Sequence, residues 1–143
     1  MEETLGPAGD KTILVVDDDP EMIKLFELTL GKEGFKVFSA KDGADALAQL
    51  ATRIPDLIVT DLLMPNQGGY ELLRNLQAEG AGAVPVIVIS SGNVKQATID
   101  MIRQEANVLE FLPKPVPMAS FTATLHRVLK TMPPELARRK AAS

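Results

Sequence analysis

The chain has 143 residues, room for one domain with a single core, and its 45% apolar content is ordinary for a globular protein. A formal charge of -4 argues against a nucleic-acid surface, which needs a basic stripe, and points to a protein or small-anion partner. The lack of cysteine excludes a disulfide framework and a thiolate metal site, and no apolar run reaches the roughly 18 residues of a membrane helix, so a cytoplasmic protein without membrane insertion is expected.

Residues 1–11 are polar, lack the apolar centre of a signal peptide, and read as a flexible tail. A β-branched run at 12–16, too short for a helix, reads as a buried strand that ends in Asp17 and Asp18. Asp19 suits an N-cap and Pro20 the first helical position. Met22, Leu25, Phe26 and Leu30 then recur at helical spacing until Gly34, a residue able to take the left-handed stop conformation, which predicts a helix over 20–32. A second strand follows at 35–40, and Ala44, Leu47, Ala48 and Leu50 form the apolar side of a second helix. The third strand is predicted at 56–60, before Asp61, and Gly68 and Gly69 open a third helix with Leu72, Leu73 and Leu76 inward. Strand four is expected at 84–89, before Ser90, and helix four at about 94–105 with Asn107 as a left-handed terminator. Strand five falls at 108–112, shortly before Lys114, and the last helix at 118–131. The single histidine, His126, is read as an ordinary, partly exposed residue of that helix. Residues 132–143, with Pro133, Pro134, Arg138, Arg139 and Lys140, have the composition of a tail or linker too short to bury a core.

Strand and helix alternate five times with short connections. This predicts an α/β fold: a doubly wound, five-stranded parallel sheet with helices on both faces, flavodoxin-like in strand order 2-1-3-4-5. In such a sheet the residues just past the strand ends converge on one edge, here Asp17, Asp18, Asp61, Ser90 and Lys114. Two carboxylates about 4 Å apart repel by roughly 4 kcal/mol at an effective dielectric near 20, so positive charge must offset them. Lys114 supplies one charge, and a divalent cation is the other candidate. Mg²⁺ suits hard oxygen ligands shared with a phosphate, whereas zinc would want the histidine or cysteine that these strand ends lack. A carboxylate can attack phosphorus to give an acyl phosphate. Asp61, alone on its strand end, is the candidate nucleophile; Asp17 and Asp18 suit metal binding, and Lys114 and Ser90 can hold phosphoryl oxygens.

The segments 13–20, 56–65, 85–92 and 111–115 resemble the receiver domain of bacterial two-component response regulators, and the resemblance covers about residues 11–131, with the domain itself placed at 12–131. It implies that Asp61 is the phosphoacceptor and that Asp17 and Asp18 are the acidic metal pair. Asp61 itself and the backbone carbonyl of Leu63 would complete the Mg²⁺ ligands. Ser90 matches the switch hydroxyl, Phe111 the switch aromatic, Lys114 the phosphate-pairing lysine, and Lys114-Pro115 the usually cis peptide. The implied partners are a sensor histidine kinase or phosphotransfer protein and a downstream protein reached through helix four, strand five and helix five, with no direct nucleic-acid contact. The implied chemistry is limited to the domain's own phosphorylation and dephosphorylation.

This sequence departs from the family pattern in a few places. Gly68 stands where an aspartate is frequent, and Pro113 places Lys114 between two prolines, which constrains its backbone. Leu63 and Gly92 occupy positions that influence acyl-phosphate hydrolysis, and neither can orient a water, so slow self-dephosphorylation is expected. If complete, the chain would be a stand-alone receiver; a fragment of a hybrid kinase or transcription factor is the other possibility. A haloacid-dehalogenase-like phosphatase is the alternative function, since Asp17 and Asp19 give its Asp-x-Asp spacing. Against it, Pro20 replaces the following Gly-Thr and no inserted cap is present.

Overall fold

A computed structural model describes residues 4–62, 69–78, 80, 82–90 and 94–142. Five parallel strands, β1 (Thr12–Val16), β2 (Lys36–Ala40), β3 (Leu57–Asp61), β4 (Val86–Ser90) and β5 (Val108–Pro113), form one sheet in the order β2-β1-β3-β4-β5. Between them run α1 (Pro20–Lys32), α2 (Gly43–Leu50), α3 (Gly69–Ala78) and α4 (Gln96–Arg103), followed by α5 (Met118–Leu129) and α6 (Pro134–Ala142). The predicted architecture and strand order are those observed, with element ends displaced by one or two residues.

The sheet is covered on both faces, which is why its central strands read as unbroken apolar runs. Successive side chains point to opposite faces. Leu14, Val16, Ile58, Val86 and Val88 face the side where Ala46, Leu50, Leu72, Leu73, Leu76 and Ile102 of α2, α3 and α4 pack. Ile13, Val15, Leu57, Val59, Ile87 and Ile89 meet Phe26 and Leu30 of α1 and Phe121, Leu125 and Leu129 of α5.

Local chemistry sets the ends of α1 as expected. The Asp19 carboxylate accepts from the Glu21 amide at 2.9 Å, Pro20 occupies the first turn, and Gly34 stops the helix with a φ of 100°. The Phe35 amide then closes back onto the Leu30 carbonyl at 3.2 Å, which satisfies one of the last free acceptors of the helix.

Four expectations are corrected. Asn107 does not end α4 in a left-handed turn, because the only described non-glycine residue with positive φ is Lys130, at 55°, just past α5. Instead Asn107 is buried: its Nδ2 donates to the Val84 carbonyl at 2.9 Å, a buried acceptor, and its Oδ1 accepts from Gln77 Nε2 at 3.1 Å. His126 is not partly exposed but 4% exposed, stacked on Phe35 and hydrogen-bonded through both ring nitrogens. The first segment, read as flexible, pairs Gly6 with Thr131 as a parallel bridge, forms a 3-10 turn at Ala8–Asp10 and buries Ala8. The last segment, read as a tail, is helical as α6, with Pro134 at its first position, where a missing amide proton costs nothing.

Candidate functional site

Register places the chemistry. Val16 pairs with Thr60, so Asp17 and Asp61 leave adjacent strands at one level, while Asp61 pairs with Ile89 and Ser90 with Pro113, which brings the ends of β4 and β5 to the same edge. All five polar residues expected to converge do lie at this edge. An oxygen from each of Asp17, Asp18 and Asp61 lies within 4.8 Å of the other two. Asp17 and Asp61 are buried and Asp18 is exposed, so the trio opens to solvent on one side.

Asp17 is aimed by its neighbour. Its Oδ1 accepts from the Asp19 amide at 2.9 Å, and its own amide continues the sheet ladder to the Ala40 carbonyl at 3.1 Å. The sequence reading takes Asp19 as a helix cap and as part of an Asp-x-Asp spacing; its further role, holding the Asp17 carboxylate through its amide, is signalled by the consecutive aspartates before Pro20, a composition typical of side-chain-closed turns. The Asp19 carboxylate is itself engaged in capping α1.

Lys114 reaches in from beyond β5. Its amide donates to the Ser90 carbonyl at 2.8 Å, which fixes the start of the side chain, and the Lys114-Pro115 peptide is cis as expected. Its ammonium stands 3.4 Å from both Asp17 Oδ2 and Asp61 Oδ2, a long bridge between two carboxylates. Burial raises Asp17 above the ordinary aspartate value, with Asp61 adding repulsion, and the Asp19 amide and Lys114 only partly offset this. For Lys114 burial acts downward, yet the charges of Asp17 and Asp61 and their hydrogen bonds outweigh it and hold the lysine above its ordinary value.

Two buried atoms stand out for what they lack. Asp61 Oδ1 and Ser90 Oγ have no hydrogen-bond partner among the described residues, although the hydroxyl can donate and the carboxylate can accept. An oxygen acceptor and a hydroxyl donor at the same sheet edge, with three carboxylates there against one ammonium, fit a divalent cation together with a phosphoryl group. Phe111 lies on β5 opposite Val88, half-buried against the α2–α4 side of the core, with the Arg103 guanidinium 5.9 Å from its ring centre. Leu63, Gly68 and Gly92 lie outside the described residues.

Three comparisons bear on this arrangement. The family model described as "Response regulator receiver domain" matches residues 13–126. The transcriptional regulatory protein GlrR of Escherichia coli (strain K12) is 35% identical over 104 residues, 73% of this chain and 23% of that protein. The probable transcriptional regulatory protein TcrX of Mycobacterium tuberculosis (strain ATCC 25618 / H37Rv) is 30% identical over 120 residues, 83% of this chain and 50% of its own length. The chain thus spans about a quarter to a half of these relatives. Among solved structures, the chemotaxis protein CheY4 of Vibrio cholerae is similar with a TM-score of 0.75 and 25% identity, over 83% of this chain and 98% of that one. The haloacid-dehalogenase-like reading receives no support from any of these. Among the described residues no helix is long and apolar enough to cross a membrane. With the family model matching most of its length, and with an acidic edge that could hold a metal at the ends of a 2-1-3-4-5 parallel sheet, the chain belongs to the receiver domains of two-component response regulators.

Proposed function

We propose that this chain accepts a phosphoryl group on Asp61 from the phosphohistidine of a sensor histidine kinase or phosphotransfer protein, in the cytoplasm, and signals by altered protein binding. The observation that carries this reading is the pair of partnerless buried atoms, Asp61 Oδ1 and Ser90 Oγ, beside Lys114 and the acidic trio. A carboxylate oxygen of Asp61 attacks phosphorus; the P–N bond to the donor imidazole breaks, and the imidazole leaves with the electron pair. Asp17, Asp18 and Asp61, with the carbonyl of Leu63, would hold Mg²⁺, which supplies neutralising charge at the phosphoryl oxygens when bound. Lys114 offers an ammonium already held between Asp17 and Asp61, and Ser90 offers a free hydroxyl proton.

Phosphorylation adds close to two negative charges and three acceptor oxygens. In the resulting two-state shift Ser90 turns toward the phosphoryl group and Phe111 moves into the space this opens, changing the surface of α4, β5 and α5. Met101 on α4 and Leu109 on β5, both exposed, support that surface as the contact for a downstream protein. The chemistry ends at the domain's own acyl phosphate, whose hydrolysis is slow because Leu63 and Gly92 offer no group to orient water.

Incubation with acetyl phosphate and Mg²⁺ tests the reading. One acid-stable, base-labile phosphoryl group is expected on the parent protein and none on Asp61→Asn. Uptake by the variant, or none by the parent at any magnesium concentration, would overturn it. A Leu63→Asn variant is expected to lose phosphate faster than the parent, and equal rates would remove the explanation offered for slow hydrolysis.

A further inference from the structure

Among the buried ionisable groups of the described residues, a histidine has no part in the acidic edge. His126, near the end of α5, is 4% exposed and lies at the opposite edge, where the strands begin and the helices that cross back over them end. Its Nε2 stands 2.9 Å from Glu33 Oε1, just past α1, and its Nδ1 stands 2.7 Å from Thr131 Oγ1. A carboxylate only accepts, so Nε2 carries the proton in the neutral ring and Nδ1 accepts from the threonine hydroxyl. The ring also stacks on Phe35 at a centroid distance of 4.8 Å. A hydroxyl, an imidazole and a carboxylate in line are the parts of a nucleophilic relay, but Thr131 is 1% exposed and no substrate could reach its oxygen. Its surroundings instead point to a mechanical role.

At Thr131 the segment before β1 meets the exit from α5. The Thr131 amide donates to the His126 carbonyl at 3.0 Å, the Gly6 amide to the Lys130 carbonyl at 2.9 Å, and the Met132 amide to the Gly6 carbonyl at 2.9 Å. Past this point, a groove of about 630 Å³ is lined by Glu33, His126, Pro134 and Arg138, so the root of α6 stands over the same cluster. An isolated bridge of this kind has no sheet to support it, and short chain ends usually fray unless something ties them down.

We propose that Glu33, His126 and Thr131 form a latch that fastens the amino-terminal segment and the root of α6 to the ends of α1 and α5, and so sets the direction in which α6 leaves the domain. The latch acts locally. Opening it frees the Gly6 bridge and the start of α6 while the sheet stays closed, because none of its members belongs to a strand. It stands apart from the phosphoacceptor and does not depend on the function proposed for that site.

Hydrogen exchange of backbone amides tests the latch. In His126→Phe, which keeps an aromatic ring over Phe35 but neither polar contact, the amides of Gly6, Thr131 and Met132 are expected to exchange about tenfold faster or more, while Val15 and Val59 in the central strands keep the parent's protection. Thr131→Val and Glu33→Ala, each removing one polar contact, are expected to act in the same direction. Glu33→Gln, which retains an acceptor oxygen for Nε2, is expected to restore protection toward that of the parent. Should His126→Phe fail to fold, the Thr131 and Glu33 variants decide the matter. Unchanged exchange at Gly6 and Met132 in those two variants would overturn the latch. So would equal acceleration of the central strands, which would make the cluster ordinary core.

Discussion

Asp17 holds its proton more tightly in the folded domain than in the unfolded chain, and this has a definite sign. A carboxyl raised by burial contributes stability in its protonated form, present below the ordinary value of 3.8 and lost as pH climbs through the raised value. Lys114 is also raised, so its contribution is complete below the ordinary 10.5 and is lost only above its folded value. Metal-free protein is therefore expected to lose stability as pH rises above 3.8 on account of Asp17, and Asp17→Asn should flatten that slope in thermal melts across a pH series. Mg²⁺ should oppose the slope, since it displaces the same proton. Asp17, Asp61, Ser90 and Lys114 were legible in the sequence because each is a polar residue at the end of an apolar strand, a position that needs no tertiary information to recognise. His126 was not, because its burial depends on Glu33, 93 residues away, and that partnership leaves no mark on the local pattern.

Among elements, α1 and α5 meet on one face of the sheet through two aromatic side chains. Phe26 and Phe121 meet edge to face with ring centres 5.5 Å apart, and both are 1% exposed. Phe121→Ala should cost about 3–5 kcal/mol in urea unfolding, through lost transfer energy and the cavity left behind. Asn107→Ala should cost roughly 1–3 kcal/mol by stranding the Val84 carbonyl, a loss out of proportion to the few atoms removed. The strands and α1 were read from sequence nearly to the residue, since apolar runs, Pro20 and Gly34 act locally. The misreading of Asn107 has a physical source: an asparagine that closes a helix and one that bonds a buried carbonyl have the same neighbours in sequence. The ends of the chain were misread for a related reason, as a bridge of Gly6 to Thr131 and a short polar helix carry no apolar periodicity.

For the molecule as a whole, metal affinity and folding are one equilibrium. A ligand that binds only the folded state stabilises it by about 2.7 kcal/mol at a hundredfold excess over its dissociation constant. Melting temperature is therefore expected to climb with Mg²⁺ concentration in the parent protein. In Asp18→Ala the climb should be largely lost while the metal-free melting point hardly moves, because Asp18 is the exposed member of the trio and supports no packing. A large drop in the metal-free melting point would show instead that the residue is part of the framework.

The backbone pairing of Gly6 with Thr131 sets the segment before β1 and the exit from α5 side by side, at the pole remote from the acidic edge. In a chain trimmed of α6 a short peptide could join these two positions, and the cut could be moved to a surface connection, giving a circular permutant with an unaltered sheet. By the same geometry the domain could be spliced into an exposed turn of a host protein as a single-entry module, its acidic edge left facing outward.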